Sequence, residues 1–543
     1  MVERLAQGRR RKTIVCPTVT AQGRRRKTIV CPTVTVAKCR NSRLPHELVE
    51  EPDDENVILA SCWRAACPAT LRGVPRLRLA GALLALAVLS GCARYHPKPL
   101  VPARTEKDYH ARTLDDAGLR AYVAAQPRPP AAWPPPALDL ASLTLAACYW
   151  HPELDVARAR VRLAEAALIT AGARPNPSLT AGGGYTNSPE APVVFQFQPG
   201  LLIETARKRS YRLLQARKLL EASKLALAEA AWQVRSRVRA GLLERVASLR
   251  RVEAFETEEK VRAEAVALLE RRLQAGEVSR PDVDAARLEL SSTRVAAQAA
   301  QGQAEESLAR LAAAAGVPVA ALAGRPVRWP AAESPPRSAS LPLARVHEAG
   351  LLNRIDVRRA LLEYDALEAA LQLEIARQFP DFELLPGHSF DEGHHKLALG
   401  LALPVPIRNR NRGPIAEAEA RRLEGRARFL ALQAHVIAEM ESARARYAAA
   451  LGELEESEQR LLAVQRERER ALQRAVEAGQ EDRLALAGAR VEGTVLARAR
   501  LEAWAKAQAA LGALEDALHR PLEESPGLPA VTVVSPREED RRP

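Results

Sequence analysis

Arg271 to Arg287 reads RRLQAGEVSRPDVDAAR, and Arg474 to Arg490 reads RAVEAGQEDRLALAGAR. Ala275-Gly276 matches Ala478-Gly479, Arg280 matches Arg483, and Arg287 matches Arg490, all displaced by 203 positions. At the same displacement Ala173-Arg174 and Pro177 match Ala376-Arg377 and Pro380, while Asp155-Val156 matches Asp356-Val357 at 201. The chain is therefore a tandem duplication. One copy covers about 138–316 and the other 343–521, joined by a Pro-rich linker, 317–342, and followed by a disordered tail, 522–543.

Each copy repeats one order of parts. A helix (Pro152 to Ala173; Leu343 to Arg377) precedes two short strands. Ser178 to Tyr185 turns through Ser188–Pro192 into Val193 to Gln198. In the second copy Phe382 to Leu385 turns through a Gly/His-rich loop into Leu397 to Leu403. Phe195 and Phe197 alternate with Gln196 and Gln198, and Leu397, Leu399, Leu401 and Leu403 with Ala398, Gly400 and Ala402. Period two with one greasy face is the pattern of a barrel strand.

Long rods follow. Residues 205–275 contain no proline and a single glycine, Gly241, which at 1.5 Å per residue is about 105 Å of helix. Its counterpart runs from Pro414 to Ala478. Met440, Tyr447, Leu454 and Leu461 recur every seven residues, with Val436, Ala443, Ala450 and Val464 on a neighbouring line; a sustained 3.5-residue period means coiled-coil packing. Val234, Val238, Leu242, Val246, Leu249 and Val252 stripe the first rod. Gly276 and Gly479 end the rods, and return helices follow (Asp282 to Ala315; Arg483 to His519).

The fold class is thus mostly α with a small β part: two long antiparallel helical hairpins and four strands per chain. Four strands with one apolar face cannot close, and open edges are not tolerated in a bilayer. Closure must come from further copies, and three would supply an even barrel of twelve strands.

The front of the chain is an address. Residues 6–20 recur identically as 21–35 without amphipathic pattern, so 1–91 is expected to be a non-native extension plus a signal, with initiation near Leu71 or Val74. Arg72, Arg76 and Arg78 precede the apolar run Leu79 to Leu89, which has signal-peptide length (about 72–91 in all). It ends in Leu89-Ser90-Gly91-Cys92, similar to the lipobox of bacterial lipoproteins. That likeness implies a Cys92 acylated at thiol and amine, a stable anchor, and Ala93 in place of Asp implies passage to the outer membrane. Residues 92–137, rich in proline from Pro127 to Pro136, are expected to form an extended strap.

The net charge of +14 might suggest nucleic acid. Residues 1–91 hold 16 Lys/Arg against 7 Asp/Glu, a surplus of nine that leaves only five for the rest, where signs are interspersed. Interspersion argues against a polyanion partner. Five of seven cysteines (Cys16, Cys31, Cys39, Cys62, Cys67) also precede residue 91, leaving Cys92 and Cys148, and no CxxC.

Tandem halves of helix–strand–strand–rod–return behind a lipobox resemble the TolC family of outer-membrane efflux factors, over about 138–521. The sharpest stretch is Asn353 to Arg422. It holds Arg354-Ile355-Asp356-Val357, Glu374-Ile375-Ala376-Arg377 before Phe379-Pro380-Asp381, Leu399-Gly400-Leu401 before Pro404-Val405-Pro406, and Asn409-Arg410-Asn411-Arg412-Gly413-Pro414-Ile415-Ala416-Glu417-Ala418. The last run is similar to the strand-to-rod junction of the CzcC- and CusC-like heavy-metal efflux branch. The resemblance implies a homotrimeric duct whose helical tube crosses the periplasm. Its partners would be a periplasmic adaptor and an inner-membrane RND-type pump, and its cargo heavy-metal cations. Drug or small-molecule efflux and type I secretion use the same fold. The helix turns that carry adaptor contacts map onto Gly276-Glu277-Val278-Ser279 and Gly479-Gln480-Glu481-Asp482. The second turn departs from the first in having acids where the first has Val278 and Ser279.

No P-loop, GxGxxG or GxSxG motif is present, and the helical carboxylates sit among arginines at the spacing of solvated i, i+4 pairs. No enzyme and no cofactor are expected. His388, His394 and His395, beside Asp391 and Glu392, are weak candidates for Zn²⁺, Cu²⁺ or Ni²⁺ on a hairpin loop. A periplasmic adaptor would show one hairpin flanked by β domains, and a coiled-coil spacer lipoprotein would have no use for the alternating strands.

Overall fold

The structure is a computed structural model that describes residues 95–522 other than 128, 131, 186, 188–192, 337–352 and 392. The signal at 72–91, Cys92, the turn 188–192, the expected helix start at Leu343, Glu392 and residues 523–543 lie outside the described residues. Of a first unit, 1–98, only 95–98 are described, as an exposed irregular stretch. All else concerns the second unit.

That unit opens with α1 (Pro102–His110), α2 (Ala117–Ala124) and α3 (Leu140–Trp150). The strap is therefore partly helical. Pro102 sits in the first turn of α1, where its missing N–H costs nothing, and Asp116 caps α2 by accepting from Leu119 N at 2.9 Å. Proline-rich composition marks where helices cannot continue, not where they cannot begin. Helix α3 is buried nearly all round. Its Cys148 lies wholly inside, and burial pushes the thiol up to about 12.

Next come α4 (Pro152–Gly172), β1 (Ser178–Tyr185), β2 (Val193–Ile203), the rod α5 (Lys208–Gln274) and its return α6 (Arg280–Ala315). The second half supplies α7 (Ile355–Ala376), β3 (Phe382–Asp391), β4 (His394–Ala402), a rod and the return α10 (Arg483–Leu518). The second rod consists of α8 (Arg412–Glu456), a π-helical turn (Ser457–Leu461) and α9 (Leu462–Glu477). Each rod is about 100 Å long at 1.5 Å per residue. No helix among the described residues is long and apolar enough to cross a membrane.

Three readings of the sequence change. The strands are longer than the alternation suggested: β2 reaches Ile203, and β3 and β4 run into the stretch read as a Gly/His-rich loop, β3 ending at Asp391 and β4 starting at His394. The heptad line holds for Met440, Tyr447 and Leu454, all buried, then fails, since Leu461 and Val464 are exposed while Leu462 and Gln465 are buried. The π turn inserts one extra residue and moves the inward line on by one. Finally, residues 317–332 are not a free connector. Val317, Leu322 and Trp329 join the core, Val327 bridges Leu138, and the Ala332 carbonyl accepts from Trp504 Nε1 (2.7 Å) and Gln508 Nε2 (2.8 Å). Leu522, placed with the tail, likewise packs on a second cluster around Met440 and Tyr447.

The halves are locked together by charge as well as by oil. Glu515 on α10 is fully buried, and the guanidinium groups of Arg235 and Arg239 on α5 each lie 3.3 Å from its Oε2. Trp232 Nε1 donates to Asp516 at 3.1 Å. A buried ion cluster of this kind is strong evidence of fixed register and weak evidence of net stabilisation.

Candidate functional site: a two-faced sheet and two helical tips

The four strands form one antiparallel sheet in the order β1-β2-β3-β4, leaving β1 and β4 as its edges. Directly paired residues share a face, so the register assigns the two surfaces. Ala181 pairs with Phe197, Phe197 with His388, and His388 with Leu397; Leu201 pairs with Leu384, and Leu384 with Leu401. One face therefore gathers Leu179, Tyr185, Phe195, Phe197, Leu201, Leu384, Phe390, Leu397, Leu399 and Leu401, the larger part of them exposed. The other gathers Thr180, Gln196, Gln198, Glu383, Ser389, Asp391 and Lys396, with glycines, alanines and the apolar residues Val194, Leu202 and Leu385 between. On that polar face Lys396 Nζ and Asp391 Oδ2 are 3.0 Å apart.

Ser178 Oγ donates to Glu383 Oε1 at 2.8 Å, reaching from β1 to β3 across β2. The residue bridged is Gly200, where a Cβ would stand 2.0 Å from that carboxylate oxygen. Sequence reading missed this contact because the partners are two strands apart, and only register brings them over a glycine.

The sheet meets the rods at matching junctions. Arg207 and Asn411, one ahead of each rod, have left-handed φ values of 59° and 58°. Asn411 tolerates that conformation, and its Nδ2 donates to the Glu374 carbonyl at 2.7 Å. In the first copy Lys208 Nζ donates to the Phe379 carbonyl (2.6 Å) and to Asp381 (2.7 Å), which also accepts from Thr205 N (2.7 Å). Burial pushes the Asp381 carboxyl up, but these donors outweigh it and hold it below its ordinary range.

At the far end both rods stop on glycines in left-handed conformation, Gly276 (φ 75°) and Gly479 (φ 73°). Glu277 N donates to the Arg272 carbonyl and Gln480 N to the Ala475 carbonyl, closing six-residue caps. The return helices start at Ser279, reciprocally bonded with Asp282, and at Asp482, which accepts from Leu484 N at 3.0 Å. Ser279 and Asp482 are thus equivalent caps, so the extra acid of the second turn is spent on its helix. Asp482 also pairs with Arg272, and the Leu484 N–H and this guanidinium hold its carboxyl low. Arg272 therefore joins the two tips. Gly276, Glu277, Ser279, Gly479, Gln480 and Glu481 are exposed; Val278 and Asp482 are half-buried.

The structure separates the three candidate histidines. His388 and His395 lie on the apolar face, Nε2 to Nδ1 3.1 Å apart, whereas His394 pairs with Asp391 and points with it to the polar face. Adjacent strand residues face opposite ways, so no single loop cluster forms. Among the described residues no group of three or more His, Cys, Asp or Glu side chains converges on a metal position.

Long helical hairpins continuing a small, two-faced, edge-open sheet define the fold of outer-membrane channel proteins. Residues 147–317 match the family model described as Outer membrane efflux protein, a family of channels rather than catalysts. The chain is similar in fold to CusC, with a TM-score of 0.58 and 17% identity over 78% of this chain and 99% of that one. It is similar to the outer membrane protein VceC from Vibrio cholerae, with a TM-score of 0.58 and 20% identity over 71% of this chain and 97% of that one. For the open state of the Neisseria gonorrhoeae MtrE outer membrane channel the TM-score is 0.54 and the identity 18%, over 71% and 90%. No curated protein matches the chain in sequence at a significant level. Among the described residues the architecture has two hairpins and one four-stranded sheet, unlike the single hairpin flanked by β domains expected of an adaptor or the strandless rod expected of a spacer.

Proposed function

We propose that the chain is the outer-membrane duct of an efflux system, a passive exit assembled from three copies. The observation that carries this reading is the sheet: apolar on one face, polar on the other, with β1 and β4 open. Twelve such strands in a ring bury every edge and place the polar face around a lumen. The helices support the same closure. Within the chain α6 packs on α5, α5 on α10, and α10 on α8 and α9. The outer members carry exposed apolar residues, Leu288 and Val295 on α6, and Leu423, Leu430, Leu461 and Val464 along α8, the π-helical turn and α9. A neighbouring copy covers one set with the other.

In this reading Cys92 carries the lipid anchor, the rods cross the periplasm, and the turns at 276–279 and 479–482 meet a periplasmic adaptor driven by an inner-membrane pump. The cargo is heavy-metal cations, on the likeness of the run Asn409 to Ala418. A detergent-solubilised outer-membrane fraction should give the mass of three chains and conduct ions in planar bilayers; a stable, non-conducting monomer overturns the duct. Loss of the gene should sensitise cells to Zn²⁺, Cu²⁺ or Co²⁺ rather than to drugs, and the opposite pattern overturns the cargo. Cys92→Ser should abolish lipid labelling.

A further inference from the structure

The apolar face of the sheet has one polar interruption. His388 on β3 and His395 on β4 stand in contact across the strands, with ring centroids 5.2 Å apart and planes 28° from parallel. Phe390 lies 5.0 Å from His395, and Phe197 and Leu397 flank His388 in register. Two imidazoles on a lipid-facing surface are costly unless their nitrogens are used. Their mutual hydrogen bond uses one nitrogen of each.

The spacing of those nitrogens is informative. A Zn²⁺–imidazole bond is about 2.0–2.1 Å, so two ligands on one ion are about 2.9 Å apart at a right angle and about 3.3 Å apart in a tetrahedron. The observed Nε2···Nδ1 separation of 3.1 Å falls between them. The imidazole χ2 torsion is soft, so both lone pairs can tilt to one point without moving the strands. The pair also lies at the turn end of the β3–β4 hairpin, next to Gly393 and away from the rods. In a barrel that is the rim, where the aromatic girdle meets water and solvent can fill the remaining coordination positions.

We propose that His388 and His395 form a two-imidazole site for a borderline-soft divalent cation, Zn²⁺, Ni²⁺ or Cu²⁺, on the outward face of each copy. The ring that donates the shared hydrogen bond moves its proton to its other nitrogen, so both neutral imidazoles present a lone pair to the ion and no proton is lost. Nitrogen ligands of this kind select these ions over Mg²⁺ or Ca²⁺. The site stands on the register of the sheet and is independent of what the duct exports.

Cu²⁺ titrated into the metal-stripped full chain in detergent should occupy one such site per chain, with electron paramagnetic resonance splitting from two nitrogens. His388→Phe, which extends the surrounding apolar surface, should lose that equivalent, as should His395→Gln. His394→Ala, on the other face, should keep it. A wild-type protein without the two-nitrogen signal overturns the proposal. So does a correctly assembled His388→Phe or His395→Gln protein that keeps the full equivalent.

Discussion

Leu399 and Ala398 are neighbours in sequence and should respond oppositely to the same substitution. Leu399 pairs with Pro386, stands 74% exposed on the apolar face, and lies near the middle of β4. Ala398 pairs with Gly387 on the polar face, close to Gln198. An arginine near the bilayer midplane on the lipid face of a barrel costs about 2–4 kcal/mol. Three copies multiply this to about 6–12 kcal/mol per ring, enough to exclude the ring from the membrane. Leu399→Arg should therefore leave the helices able to form but almost no detergent-resistant oligomer in the outer membrane. Ala398→Arg meets water and polar side chains, so its oligomer should assemble at near wild-type yield and conduct with shifted ion selectivity. Heat-modifiability on gels and single-channel recording read both outcomes. If Ala398→Arg blocked assembly while Leu399→Arg did not, the assignment of faces would be inverted and the duct reading would fall with it.

Three further outcomes follow from the helical part. Glu515→Ala strands the Arg235 and Arg239 guanidinium groups in the core and should cost about 3–5 kcal/mol, read as a lower guanidinium midpoint for loss of helical circular dichroism; an unchanged midpoint would show that water reaches the site. Burial, and secondarily Arg354, hold the His519 imidazole below its ordinary 6.5, so the folded protein keeps it neutral while the unfolded chain takes up a proton. Stability is then full above about pH 6.5 and falls as pH drops toward the folded value. His519→Asn, which keeps the left-handed backbone (φ 49°), should flatten the pH dependence of the thermal midpoint. The slope should not vanish, because His151 is lowered by burial and Arg237 in the same direction. Deleting Gln459 from the π turn should be tolerated, since the turn already carries one residue too many. Deleting Glu441 rotates everything beyond it by about 100° and should abolish assembly.

What the sequence disclosed was periodic, and what it hid depended on register. The duplication, the rods and the alternating strands are patterns that survive any local displacement, and each is present, although the strands run further than the alternation marked and the second rod's heptad line shifts at Ser457–Leu461. Ser457–Leu461 shows the limit. Nothing in SEQRL distinguishes a π turn from an α turn, because the extra residue is absorbed by hydrogen bonding and not by composition. Yet it decides whether Val464 or Gln465 faces the core. The histidines follow the same logic with period two. His394 and His395 are adjacent in sequence, so a compositional reading pools them, and the pleat then sends one to the polar face of the sheet and the other to the apolar face. The Ser178–Glu383 bond over Gly200 needs two registers at once, β1 to β2 and β2 to β3. One principle covers all three cases. A residue's neighbours along a periodic element are written in the chain, whereas its neighbours across elements are set by phase, and a one-residue shift changes the phase without changing the pattern. Functional claims that need a face, such as a lumen lining, a lipid contact or a metal pair, therefore have to come from the paired strands and packed helices.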